Sequence, residues 1–150
     1  MIDKELWKDC LDEAREAVDT TVAVDLQGYD IDPEAIKIAR LNAKQAGVDH
    51  MIHFQVRDVA KLSHPKKFGF IITNTTYGER LEDKKDLPAL YGKRSDAVMA
   101  LDSWSMFVIT SWEDTPKYIA KKADKNRKIY NGMIKTYFYQ FLGPKPPKKN

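Results

Sequence analysis

Cysteine occurs once in these 150 residues, as Cys10. A lone thiol forms no internal disulfide and builds no cysteine metal cluster, so the fold must hold by packing, and a reducing, cytoplasmic setting is expected. Long apolar runs are absent too: none approaches the ~20 residues needed to cross a bilayer. The opening stretch MIDKELWKDC is charged where an export signal needs an apolar segment. No membrane partner is therefore expected. Histidine is scarce, and His50, His53 and His64 do not show metal-ligand spacing, so no metal site is predicted. The glycines number seven, and no two of them are separated by a single residue.

What is present describes a globular chain. Hydrophobic residues make up 43% and charged residues 31%, a soluble profile rather than a disordered one. The length suits one domain with a single core. We expect that domain over residues 1–143, followed by a flexible basic tail over 144–150. Net charge is +3, from 25 basic and 22 acidic residues, too mild to identify a polyanionic partner. Its distribution is uneven, however, with Lys117, Lys121, Lys122, Lys125, Arg127 and Lys128 close together. That cluster is either a solvated helix face or a phosphate-facing patch.

Periodicity gives the elements. Leu6, Trp7, Cys10, Leu11, Ala14 and Val18 recur at three and four, predicting a packed amphipathic helix over 3–18. A strand is expected within 20–29. Asp32-Pro33-Glu34 opens a helix that ends at Gly47. Strands are expected at 51–56 and 68–73, the second so continuously apolar that it reads as a central parallel strand. A helix follows from Asp86-Leu87-Pro88 toward Leu101, then a strand over 105–111. Asp114-Thr115-Pro116 opens a basic helix through about Lys122, and 133–142 forms the last strand, with Tyr137, Phe138, Tyr139 and Phe141 as packing residues. Alternating strands and helices predict an α/β sandwich with a mostly parallel sheet.

In such sheets ligands bind beyond the carboxyl ends of the strands. Asp30 and Asp32 follow the first strand, Asp58 the next, and Asn74 to Tyr77 the third. A carboxylate in the first place can accept both hydroxyls of a ribose, and one in the second suits an adenine amino group. Each also has a structural alternative: Asp32 as a helix cap, Asp58 as a turn cap, Asn74 as a strand end.

Taken together, GYDIDPEAIKIARLNAKQAGV, VRDV, ITNTTYGERL and NRKIYNGMIKTYFYQFLGPKPP resemble the class I S-adenosylmethionine-dependent methyltransferases. Within them, the chain is similar to the THUMP-associated guanine-N2 methyltransferases of large-subunit ribosomal RNA. The resemblance implies a Rossmann-like α/β sheet with helices on both faces, S-adenosylmethionine as cofactor and ribosomal RNA as partner. It implies that Asp30, Ile31, Asp58, Val59 and Asn74 bind the cofactor. It also implies that Asn74 and the carbonyl of Thr75 accept the two N–H bonds of the target amine while Tyr77 stacks on the flipped base. The basic residues Lys121, Lys122, Lys125, Arg127 and Lys128 would hold RNA phosphates.

Two departures accompany the likeness. Thr75 and Thr76 stand where the family has two prolines, which loosens the loop that aims Asn74, so low or absent methyl transfer is expected. No Gly-x-Gly loop precedes Asp30, so the sheet is expected to lack its first strand. That leaves two functional classes, an enzyme and a catalytically inactive module that binds RNA or a protein. It also leaves a gap with exposed sheet edges, which either the helix of 3–18 and the segment after it refill or a second copy covers as a homodimer.

Overall fold

The computed structural model describes residues 3–19, 21–74, 96–119 and 121–148. They form two compact units, one from Met1–Gly28 with Glu34–Gln55 and one from Tyr29–Pro33 with Val56–Asn150.

In the first unit, helix α1 spans Lys4–Glu16. Its start is fixed by Asp3, whose carboxylate accepts the Glu5 backbone N–H at 3.0 Å, a cap that satisfies one of the donors a helix leaves unpaired. The apolar stripe forms as expected, but no residue of α1 is buried, and Trp7 remains 58% exposed. Periodicity reports that a helix has an apolar face, not that a partner covers it, and the expected packing is not found among the described residues.

Strand β1 covers Leu26–Asp30, helix α2 Pro33–Gln45 and strand β2 Ile52–Val56. Pro33 occupies the first helical position, where its missing N–H is harmless. Gly47 closes the helix at φ 71°, the left-handed conformation that glycine adopts without strain. α2 turns Ile36 and Ala43 inward, and the Arg40 guanidinium donates to the Phe54 carbonyl at 2.8 Å, tying the helix to β2. β1 and β2 hydrogen-bond to each other as a two-stranded sheet.

The second unit holds a four-stranded sheet, made of β3 (Phe70–Asn74), β4 (Ser105–Thr110), β5 (Lys125–Asn131) and β6 (Ile134–Phe141), in the order β3-β4-β6-β5. β3 and β4 run parallel, from Phe70 opposite Ser105 to Asn74 opposite Ile109. β6 is antiparallel to β4 and to β5. One sheet face carries the core of Val108, Tyr137, Tyr139 and Phe141, closed by Ile119 from the segment after α3, the single turn Thr115–Tyr118. The tyrosines and Phe141 therefore pack as the sequence predicts. Tyr139 also donates its hydroxyl to the Glu113 carbonyl at 3.0 Å, so its polar end is satisfied where its ring is buried.

The other face is aromatic and more open. Phe107 lies between Phe70 and Phe138, with centroids 6.2 and 6.0 Å away. Phe70 and Ile72 are 70% and 80% exposed, although so apolar a strand predicts cover on both sides. Among the described residues, β3 is the terminal strand of its sheet and hydrogen-bonds to β4 alone.

Two further differences concern the late chain. The helix expected through Lys122 stops after one turn, and Lys125–Asn131 is a strand. The physical reason is local: the Asp124 N–H donates to the Gln140 carbonyl at 2.8 Å, and its carboxylate accepts the Leu142 N–H at 2.7 Å. These bonds start a hairpin ladder that a helix would forfeit. The predicted helix from Asp86 falls mostly outside the described residues, which resume in a helical turn at 96–99.

Candidate functional site

Each carboxylate of the predicted cofactor site is set by the end of a strand. Asp30 is the last residue of β1. Its Oδ1 accepts the Asp32 N–H at 2.9 Å, a local turn that holds the exposed carboxylate in one orientation while leaving acceptor capacity on its oxygens. Asp58 follows β2, and its carboxylate accepts the Ala60 N–H at 2.9 Å as the cap of a short turn over Val59–Lys61. The turn-cap alternative for Asp58 is thus real. It does not displace the functional one, because capping uses one oxygen and a carboxylate has two.

The two segments are joined. The Arg57 N–H donates to the Asp30 carbonyl at 2.8 Å, and the Arg57 guanidinium lies 5.6 Å from the centre of the Tyr29 ring. Asp30 and Asp58 are each preceded by one member of this half-buried pair. Sequence reasoning missed Tyr29 and Arg57, and the signal available was that shared offset. The cation–ring contact and the backbone bond together brace both loop starts.

Ile31 is 65% exposed next to Asp30, and Val59 is half-buried next to Asp58. Asp30 and Asp58 are thus two oriented acceptors with apolar neighbours, able to take hydrogen bonds from hydroxyl or amino donors.

Asn74 ends β3 on the exposed aromatic face, opposite Ile109. Following the registers across the sheet, Asn74 aligns with Ile109, Ile109 with Phe138, and Phe138 with Arg127. Asn74 and Arg127 therefore occupy one row on one face, three strand spacings or about 14 Å apart. Thr75 and Tyr77, the other predicted catalytic residues, lie outside the described residues.

The predicted phosphate-binding residues are not on one helix. Lys121 and Lys122 precede β5, and Lys121 donates to the Leu142 carbonyl. Lys125 and Arg127 alternate with Lys128, which points to the opposite face of the strand. A separate open cleft, bordered by Asp25, His50 and His53, belongs to the first unit and shares no residue with this site.

Comparison with known proteins fits this layout. A possible methylase from Clostridium difficile 630 superposes with a TM-score of 0.86 at 48% identity, over 99% of this chain and 39% of its own. SMU.472, a candidate methyltransferase complexed with SAH, superposes with a TM-score of 0.86 at 34% identity, over 97% and 39% respectively. Ribosomal RNA large subunit methyltransferase K/L of Shewanella baltica (strain OS185) is 31% identical over 140 residues, which is 91% of this chain and 20% of that protein. This chain thus spans well under half the length of each of these three proteins. Its α/β architecture is an incomplete Rossmann-like methyltransferase fold. The model of the RMKL-like methyltransferase domain matches residues 2–140, and the chain belongs to that family.

Proposed function

We propose that the chain is the cofactor- and base-binding part of a methyltransferase that acts on guanine N2 of large-subunit ribosomal RNA. The observation that carries this reading is the joined pair of strand-end carboxylates, Asp30 and Asp58, linked by the 2.8 Å bond from the Arg57 N–H to the Asp30 carbonyl. The names of K/L and SMU.472 support it, since they cite ribosomal RNA and SAH respectively.

S-adenosylmethionine, when bound, supplies an electrophilic methyl group. Asp30 would accept from its ribose hydroxyls and Asp58 from its adenine amino group, with Ile31 and Val59 as apolar neighbours of the base. Asn74 accepts one N–H of the target amine through its side-chain oxygen, and the Thr75 carbonyl accepts the other. That pairing turns the nitrogen lone pair out of conjugation with the base and toward the methyl carbon. Tyr77 holds the flipped base by stacking. Positioning dominates, because the reaction needs little more than removal of one proton from the amine. Lys121, Lys122, Lys125, Arg127 and Lys128 bind phosphates, Lys125 and Arg127 from the face that bears Asn74. A ribosomal RNA substrate would place the protein in the cytoplasm, and the open edge of β3 would pair two copies.

Isothermal titration of the chain with S-adenosylmethionine tests the reading. Saturable binding weakened at least about tenfold by Asp30→Ala is expected, since that change removes charge-assisted hydrogen bonds. Binding that ignores Asp30 would contradict it.

The threonines at 75 and 76 favour a second reading, an RNA-binding module without methyl transfer. It predicts RNA affinity that falls steeply with salt in a chain with no cofactor affinity. Where the cofactor does bind, the threonines predict a low methyl-transfer rate that Thr75→Pro/Thr76→Pro raises, and an unchanged rate would remove the loosened loop as a cause.

A further inference from the structure

The β5–β6 hairpin extends beyond the core with one face uncovered. Its turn is two residues long, Gly132-Met133, with Asn131 opposite Ile134. Gly132 stands at φ 60° in the first turn position, where a hairpin matched to the strand twist needs glycine. The cross-strand pairs Asn126–Tyr139, Lys128–Tyr137 and Tyr130–Lys135 share the sheet face of the core. Tyr139 and Tyr137 are 3% exposed on that face, whereas Tyr130, one pair further out, is 69% exposed and Met133 at the tip is 99% exposed. The face thus passes from packed tyrosines to an open one within two strand positions.

Two lysines neighbour Tyr130 on the same sheet face. Lys128 is two residues before Tyr130 on the same strand face, and Lys135 is directly opposite, with Cβ atoms of such a pair about 5 Å apart. Lys135 is braced rather than free-swinging, because its ammonium lies 5.1 Å from the centre of the Tyr137 ring. A hydrogen bond with Tyr137 and its charge, then Glu113, hold Lys135 in its protonated form. Tyr130 pairs across the hairpin with Lys135 and still leaves most of its ring open to solvent.

We propose that this hairpin tip is a nucleobase-stacking finger, in which Tyr130 stacks on an unpaired base of a single-stranded RNA segment while Lys128 and Lys135 engage the flanking phosphates. The inference rests on the RNA reading above and assigns a contact on the opposite sheet face from Asn74. Charge complementarity selects the polyanion, and the exposed ring selects one with bases, since stacking suits any base and phosphates satisfy the two cations.

The test is fluorescence anisotropy with the full chain, using a labelled twelve-nucleotide oligoadenylate and an abasic strand of the same length. Tyr130→Ala is expected to weaken oligoadenylate binding about tenfold and leave the abasic strand unaffected, with Tyr130→Phe close to the unaltered protein. Lys128→Ala is expected to weaken both strands and to lower the salt slope by roughly 0.7. Thermal melts identify any variant that fails to fold, and Tyr130→Phe keeps the ring if the alanine variant does. Loss on both strands with Tyr130→Ala, or on neither, overturns the finger while leaving the RNA reading intact. Equal affinity for polyglutamate overturns it in favour of an acidic protein. No salt-dependent binding by the unaltered chain overturns both readings.

Discussion

Tyr139 shows how one buried polar group ties stability to pH. Burial comes first among the causes that raise its phenol above the usual tyrosine value. The folded state then holds the proton to higher pH than the unfolded chain does. Stability is fully present below about pH 10, the unfolded value, and declines as pH rises through the higher folded one. Tyr139→Phe is expected to cost about 1 kcal/mol near neutrality by leaving the Glu113 carbonyl without its donor, and to flatten the alkaline loss. Urea titrations between pH 8 and 11 measure both; an unaltered alkaline slope in the variant would assign that slope to other groups. Gly143 is constrained by space instead. A β-carbon there would lie 2.6 Å from the Trp104 carbonyl oxygen, a backbone atom that cannot swing away as a side chain can. Gly143→Ala is therefore expected to destabilise by about 1–3 kcal/mol, read from the midpoint of denaturant unfolding, and a shift under a few tenths would show that the β4 entry yields easily.

Elements differ in how openly the sequence declares them. α2 was legible because three independent signals agree: Asp32-Pro33 at its start, inward Ile36 and Ala43, and Gly47 at its end. β4 and β6 were legible from apolar and aromatic runs. β5 was not, because Lys125, Arg127 and Ile129 on one face and Asn126, Lys128 and Tyr130 on the other give no apolar stripe, and a terminal strand needs none. Its declaration lay in Asn131-Gly132, a hairpin dipeptide hidden beside a basic run that reads as helix. Of the candidate site, Asp30 and Asp58 were legible by position after strands. Their shared brace, Tyr29 with Arg57, was not, because a cation–ring contact joins residues 28 positions apart and leaves no periodic trace. The hairpin itself depends on Asp124, which both donates to Gln140 and accepts from Leu142. Asp124→Ala is expected to lower stability by about 1–2 kcal/mol and to speed hydrogen exchange at the Leu142 amide, and exchange unchanged at Leu142 would refute that clamp.

At the scale of the whole molecule, two sheets stand among the described residues, in keeping with the expectation of a sheet that lacks its first strand. β1 pairs with β2, and β3 heads a separate four-stranded sheet. With Phe70 and Ile72 exposed on its terminal strand, self-association through β3 is the expected response of an uncovered apolar edge. Light scattering should show mass rising with concentration, and Phe70→Lys/Ile72→Lys should abolish the rise; a monomer at every concentration would contradict the pairing. The central claim is narrower, that this chain carries the nucleoside half of a methyltransferase cofactor site on Asp30 and Asp58. Titrating the chain with S-adenosylmethionine beside the Asp30→Ala and Asp58→Asn variants tests it most directly. The account predicts saturable binding in the unaltered chain and at least tenfold weaker binding in each variant, about 1.4 kcal/mol or more. Equal affinities across all three, or no binding by a folded chain, would contradict it.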